Sequence, residues 1–531
     1  MKYFYTLLLF LLTTISAAQV FTPKWKSCYG GSDVDEGGSL ISLNNKYWII
    51  ANTNSTNGDI SYNHGKYDVW LLNIDSIGNL INEKTYGGLE YDGGFDIIDE
   101  LNDSVFYIAS MSQSIDGDIS SNPWPGAAGN LWVLQVNKQG DILWETMAGG
   151  TGEDILSDMK VTNDGGVLLF GNTTSNDGDV ADNHGSWDNW LIKIDGNGQK
   201  LWSKCYGGEG PDWGTSVIQT DDGGYLLISS TDGEGGGNYD TSCNFHSFWD
   251  VWLLKLDLIG NIEWQQCYGG HYGDAGDNAI EVPDGYIIIG GTESDDGDVS
   301  GYHGEPGPQN KNGNDIWVFK IDKTGNMLWQ NCLGGTNYDW ARNIFTTSDG
   351  GFMVVGKTLS NDGDVSGFHG RPGIFHDLWF AKIDSVGNLL WQYCYGTDAD
   401  ELIYRGVIQK NDWDYVLAYS RSYVYNIPDV CVVELYDSTV GIKEVRPVEE
   451  EMVSIFPNPA NNTVTFSYTL PEKINTGTLE LFDSNGKRVN TMQTENSGKK
   501  TMDCSSLPSG IYYYRFTAGM TINSGKFIIR H

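Results

Sequence analysis

The chain has 531 residues and a formal net charge of −38, from 32 Lys+Arg against 70 Asp+Glu. With 68 Gly and 13% aromatic residues, it is neither a disordered chain, which would be poor in aromatics, nor a long-helix protein, whose helices so much Gly would weaken. The acidic balance excludes nucleic acid as a partner, because phosphates need Lys and Arg. Gly, aromatic and β-branched residues together predict many short strands joined by tight turns.

The N-terminus reads as a targeting segment over residues 1–18. Lys2 supplies the positive end, Tyr3 to Ile15 is an apolar run, and Ser16-Ala17-Ala18 offers a cleavage site before Gln19. No other run approaches the roughly 18 apolar residues of a membrane-spanning helix, so no transmembrane segment is expected. Export follows, and with it an oxidising environment for the thiols.

A repeat fills residues 19–440. Its anchor is Asp-x-Trp, as in Asp68-Val69-Trp70, Asp188-Asn189-Trp190, Asp250-Val251-Trp252, Asp315-Ile316-Trp317 and Asp377-Leu378-Trp379. Asn130-Leu131-Trp132 and Asp429-Val430-Cys431 are degenerate copies, which makes seven at intervals of 52–65 residues. Each copy continues through an Asp-x-x-Gly-Asn hairpin turn to a return strand ending in Tyr-Gly-Gly, as in Tyr268-Gly269-Gly270. A strand ending at Asp-Gly-Gly and an apolar strand complete the unit. Four strands in about 60 residues match one propeller blade. The segment Trp25 to Gly31 is a return strand without its partner, and the last copy lacks one. The sequence therefore predicts an all-β fold: a seven-bladed β-propeller closed by strand exchange between N- and C-terminal segments. The repeat resembles the SBBP-type β-propeller repeats of bacterial surface proteins. That resemblance implies a scaffold and no defined activity.

Residues 441–452, with Pro447 and Glu449-Glu450-Glu451, read as a linker. Residues 453–531 then change sign, to +3 against −40 for the propeller. Phe456-Pro457-Asn458-Pro459, Leu479-Glu480-Leu481-Phe482-Asp483 and Leu507-Pro508-Ser509-Gly510-Ile511-Tyr512 mark a small immunoglobulin-like β-sandwich. This tail resembles the type A C-terminal sorting domain of the bacterial type IX secretion system. The resemblance implies passage through the periplasm and across the outer membrane to the cell surface or beyond. It also implies two partners, the type IX translocon and a sortase-like peptidase.

Function is expected in the long loops at one end of the propeller, since its other end carries only tight turns. Those loops repeat Asp-Gly-Asp, as Asp177 and Asp179, Asp296 and Asp298, and Asp362 and Asp364. Oxygen-rich loops of this kind suit calcium. Equally, Asp can brace its own turn, and no Glu stands at the twelfth position of an EF-hand frame. His64, His184, His303 and His369 follow in separate blades, which disfavours zinc, whose ligands must converge. A second set of acids follows each Gly-Gly: Asp35, Asp92, Asp154, Asp212, Asp274, Asp339 and Glu401. These read as turn braces, with a cation-binding ring as the alternative. Trp124, Trp187, Trp213, Trp249 and Trp340 are placed in the long loops, where indole faces beside carboxylates suit a sugar.

Five cysteines, Cys28, Cys205, Cys267, Cys332 and Cys394, share one repeat position. Hairpin register sets Cys28 opposite Cys431, which predicts a disulfide there. The leading expectation is a surface or secreted binding protein that recognises a glycan, polymer or protein. A propeller glycoside hydrolase or lyase, and a purely structural surface component, are the alternatives. No catalytic signature is present to favour the enzyme. The irregular segment with Asp232, Glu234, Cys243 and His246 is where a unique site would be sought.

Overall fold

A computed structural model describes residues 21–102, 105–232, 246, 248–304, 313–422, 428–437, 453–457, 460–470, 476–483, 487–496, 498–518 and 521–531. The targeting segment 1–18, the linker 441–452, and Glu234 and Cys243 lie outside them. The chain divides into two compact units, Met1–Thr439 and Val440–His531.

The first unit is made of seven four-stranded antiparallel sheets in chain order. Blade 4 shows the pattern: Asp212–Gln219 innermost, then Tyr225–Thr231, Asp250–Leu256 and, outermost, Ile262–Tyr268. Each innermost strand packs against that of the next blade, and the seventh packs back on the first. Blade 7 takes Asp400–Asn411, Asp414–Ser422 and Asp429–Asp437, and its outermost strand is Phe21–Tyr29 from the start of the chain. Cys28 pairs with Cys431 in that register, and the two form a disulfide. Phe21 fills a pocket of Phe380, Tyr393 and Tyr415 beneath it.

Each motif has a packing reason. Six Asp-x-Trp indoles (Trp70, Trp132, Trp190, Trp252, Trp317 and Trp379) are fully buried. Each donates its Nε1–H to the side chain 13 residues on, such as Trp252 to Gln265 at 2.9 Å. A buried indole thus has its one polar group satisfied. The turn glycines serve the neighbouring blade. Tyr206 donates its hydroxyl hydrogen to the Gly260 carbonyl of blade 4 at 2.7 Å, and Tyr29 does the same to Gly78 at 2.6 Å. Gly78 has φ +82°, and a Cβ there would lie 2.5 Å from the Trp25 ring. The Tyr-Gly-Gly strand end and the Asp-x-x-Gly-Asn turn are two halves of one inter-blade contact.

The equivalent cysteines do not all behave alike. Cys205, Cys332 and Cys394 are buried thiols. Cys267 is disulfide-bonded.

The second unit is a two-sheet β structure. One sheet orders Val453–Phe456, Thr463–Tyr468 and Gly498–Asp503. The other joins Thr476–Phe482, Arg488–Glu495, Gly510–Ala518 and Thr521–Ile529. Val464, Phe466, Leu479, Leu481, Phe516 and Phe527 form its core.

Candidate functional site

Every blade has a register break near the start of its innermost strand, where that strand pairs with the second. A β-bulge leaves a residue unpaired and re-aims its side chain. In six blades the unpaired residues line one cavity: Gly37 and Gly38, Ser157, Thr215, Asp277, Arg342, and Tyr404 with Arg405. Its volume is about 770 Å³. It lies where the innermost strands begin, the end that also carries the long loops. The repeat thus supplies a uniform frame, and the bulges supply residues that differ from blade to blade.

Three of the five predicted tryptophans, Trp213, Trp249 and Trp340, line this cavity. Trp213 and Trp340 were expected in loops. They are instead the second residues of the innermost strands Asp212–Gln219 and Asp339–Thr346. Trp187 meets Trp213 edge-on, with ring centroids 5.4 Å apart. Trp124 is separate: its ring lies against Gly178 and under the Lys200 ammonium, 5.9 Å from the ring centre. Trp340 stacks on Tyr338, with centroids 5.6 Å apart and planes 5° apart. Glu36, Ile155 and Ala275 occupy the position of Trp213 and Trp340 in other blades and also line the cavity. The sequence signal was available, because this residue varies immediately after an Asp that recurs.

The charges have defined partners. Asp277 is buried and accepts hydrogen bonds from the Trp340 indole and from Arg342 Nη1, the latter at 2.7 Å. Arg405 reaches from blade 7 across the channel to the Thr215 carbonyl of blade 4 and to Asp158 of blade 3, the latter at 3.3 Å. Burial alone would raise the Asp158 carboxyl, but Lys160 and Arg405 beside it hold it below the usual range. Glu36 is half-buried, and burial raises its pKa.

The acids after Gly-Gly do not face this cavity as a ring. Each is buried within its blade and tied locally. Asp274 accepts from Gly270 N at 2.7 Å, from Ser294 Oγ at 2.9 Å and from the Thr292 hydroxyl. The bracing reading holds for this set. A Cβ on Gly269 would sit 2.7 Å from both Asp250 Oδ1 and Asp274 Oδ2, which is why Gly stands between them.

The Asp-Gly-Asp loops brace as well. Asp177 accepts from Thr151 N and Oγ1, and Asp362 from Thr336 N and Oγ1, at 2.8–2.9 Å. Asp296 accepts from His271 N at 2.7 Å. Asp179, Asp298 and Asp364 each face the N–H of a Gly at the preceding blade's exit, at 3.3 Å. Among the described residues no three His, Cys, Asp or Glu gather as a metal site. The Asp-Gly-Asp oxygens expected to suit calcium serve protein donors in separate blades. The histidines pair with the Asp-x-Trp acids: His64 Nδ1 lies 2.6 Å from Asp68 Oδ2, and His303 Nδ1 lies 2.6 Å from Asp315 Oδ2. His246 makes the same pair with Asp250 at 3.0 Å, so blade 4 keeps the pattern at that point.

These buried groups set a pH dependence. Burial pushes Asp212, Asp274 and Asp339 up to about 7. The folded chain then holds more protons than the unfolded chain between about pH 4 and 7, so stability falls as pH rises through that window. The His303 pKa is raised by its hydrogen bond to Asp315; its contribution is present below the unfolded value and is lost as pH rises through the folded one. At the acid end the order reverses. For Asp164, Asp222 and Asp349 burial raises the carboxyl, but turn donors and the ammoniums of Lys193, Lys255 and Lys382 outweigh it and hold them at about 2. Their stabilisation is lost as pH falls below the unfolded carboxylate range. Thermal midpoints should therefore be higher at pH 5.5 than at pH 8 and fall again at pH 3. A midpoint that rises steadily from pH 5.5 to 8 would show that these acids are ionised without cost.

Residues 454–530 match the family described as the secretion system C-terminal sorting domain. The chain is type IX secretion cargo. Its sorting domain directs it across the outer membrane to the cell surface and implies contact with the type IX machinery. Among the described residues no helix is long and apolar enough to cross a membrane. No curated protein matches the chain. Among solved structures it is similar to a protein of unknown function from Dyadobacter fermentans, at 9% identity over 78% of this chain and 99% of that one, with a TM-score of 0.39. It is similar to the Synechocystis apocarotenoid oxygenase at 10% identity over 68% and 72% of the two chains, TM-score 0.37. Puromycin hydrolase is similar at 11% identity over 84% of this chain and 62% of that one, TM-score 0.38.

Proposed function

We propose that this type IX cargo is a binding protein that takes a saccharide, free or at the end of a polymer, into the cavity of its central channel. The observation that carries the reading is the convergence of Trp213, Trp249 and Trp340 on one space of about 770 Å³. Indoles cover the apolar face of a sugar ring, and Glu36, Asn52, Ser157 and Ser230 offer hydrogen bonds at its edge. A solvent-facing aromatic cluster on a secreted protein otherwise exposes apolar surface without return.

Binding fits the site better than hydrolysis. Two-carboxylate glycosidase chemistry needs a pair of acids facing one bond. The described lining holds Glu36 and Asp277, and Asp277 is engaged by Trp340 and Arg342.

Indole fluorescence tests the reading on the secreted chain, with a panel of oligosaccharides titrated in. At least one is expected to shift the emission. Trp213→Ala and Trp340→Ala should each weaken that ligand roughly tenfold or more, while Trp124→Ala, outside the cavity, leaves it unchanged. Equal loss from all three variants would move the site away from the cavity.

A further inference from the structure

Arg342 in the lining, and Lys357 next to the lining residue Trp340, put two cations on one side of the cavity, in a propeller whose formal charge is −40. Arg342 lines it from blade 6, with its Cζ 5.8 Å from the centre of the Trp340 ring. Nη1 is used by Asp277, but Nε is buried with no hydrogen-bond partner. Lys357 stands across the strand pair from Trp340, with its ammonium 5.9 Å from the Tyr338 ring centre. No described carboxylate forms an ion pair with it. The acids that act on it from neighbouring elements are Asp277 and Asp400. Asp277 is held by Trp340 and Arg342, and Asp400 by His376 at 2.7 Å. Burial, and then the Arg342 charge, bring Lys357 down to about 8. Two neighbouring cations with incomplete counter-charge are costly to bury, and a bound anion offsets that cost. Arg405 differs, because Asp158 and the Thr215 carbonyl already occupy it. Across the site, Glu36 is a carboxylate with no hydrogen-bonded partner among the described residues, ready to accept from hydroxyls.

We propose that the ligand is an acidic sugar. Its ring lies on the Trp340 and Trp213 indoles, its carboxylate meets Arg342 with Lys357 adding positive charge from beside the lining, and its hydroxyls donate to Glu36. This rests on the cavity being the binding site and adds the chemical class of the occupant. A guanidinium edge offers two parallel N–H groups to a carboxylate, a geometry a neutral sugar cannot use.

The probes are hexuronate trisaccharides, each paired with its methyl ester and with the corresponding neutral hexose trisaccharide, titrated into the secreted chain by indole fluorescence and calorimetry. The ester keeps the shape and removes the charge. At least one acid is expected to bind about tenfold or more tightly than its ester, with the gap closing at high salt. Arg342→Met and Lys357→Met should each weaken the acid more than the ester and so narrow the gap between them. The acid–ester comparison uses the natural chain, so a variant that fails to fold does not decide the result. Equal binding of acid and ester, or binding of the neutral sugar alone, overturns the acidic-sugar inference and leaves the cavity reading intact. Binding that survives loss of Trp213 and Trp340 overturns the cavity reading itself. No binding by any acid overturns the inference.

Discussion

Cys28→Ser lowers the thermal midpoint of the propeller by about 5 °C, on the order of 4 kcal/mol for a bond that closes so long a loop. The disulfide joins residues 403 apart in sequence. It holds the N-terminal strand as the outer edge of the seventh sheet, so the bond fastens the ring where the chain itself does not. Cys431→Ser and the double variant should match Cys28→Ser, because each removes the same link and residues that act as a unit are not additive. Calorimetry of the three variants against the natural chain decides it. Midpoints equal to the natural protein's would mean that strand pairing alone closes the ring. The salt bridges of Lys24 to Asp414 and Glu434, at 2.7 and 2.9 Å, lie along the same seam. They should therefore matter more in the disulfide variants than in the natural chain.

Asp274→Ala costs more than any substitution in the Asp-Gly-Asp loops. Its carboxyl is fully buried and receives the Gly270 N–H and the hydroxyls of Thr292 and Ser294. Removing it strands these donors, at about 1–3 kcal/mol for each buried group left unpaired. A loss of roughly 4 kcal/mol is expected from denaturant titration. Asp177→Ala removes bonds from an exposed turn and should cost under about 1 kcal/mol. Equal costs would mean that the two repeated sets of acids do the same structural work. Because the Asp-Gly-Asp oxygens serve protein donors, chelator should leave the midpoint of the natural chain unchanged.

Much of the architecture was legible because the repeat states its own constraints. Asp-x-Trp, Asp-x-x-Gly-Asn and Tyr-Gly-Gly recur because each copy makes the same contact with its neighbour. A lone return strand at the N-terminus and a missing one at the end implied their pairing. The tail was legible through its motifs in order. The site was only half legible. Trp213, Trp249 and Trp340 were found because five indoles had no place in the repeat frame. Arg342, Lys357, Glu36 and Asp277 were not found. Composition alone cannot tell a carboxylate waiting for a metal from one already serving an N–H, as the Asp-Gly-Asp carboxylates do.

The sequence by itself determined the β class, the blade unit, the pairing of Phe21–Tyr29 with Asp429–Asp437 and the export route. All of these follow from local periodicity or from motifs read in order. Only the tertiary structure decided which side chains meet in the channel. Unpaired residues near the start of each innermost strand, one in blades 3 to 6 and more in the others, break the regular pairing and re-aim side chains, and no local pattern in the sequence marks them. The groups that result, such as Arg342 with Asp277 or Arg405 with Asp158, stand on different blades. Closing the ring brings them together.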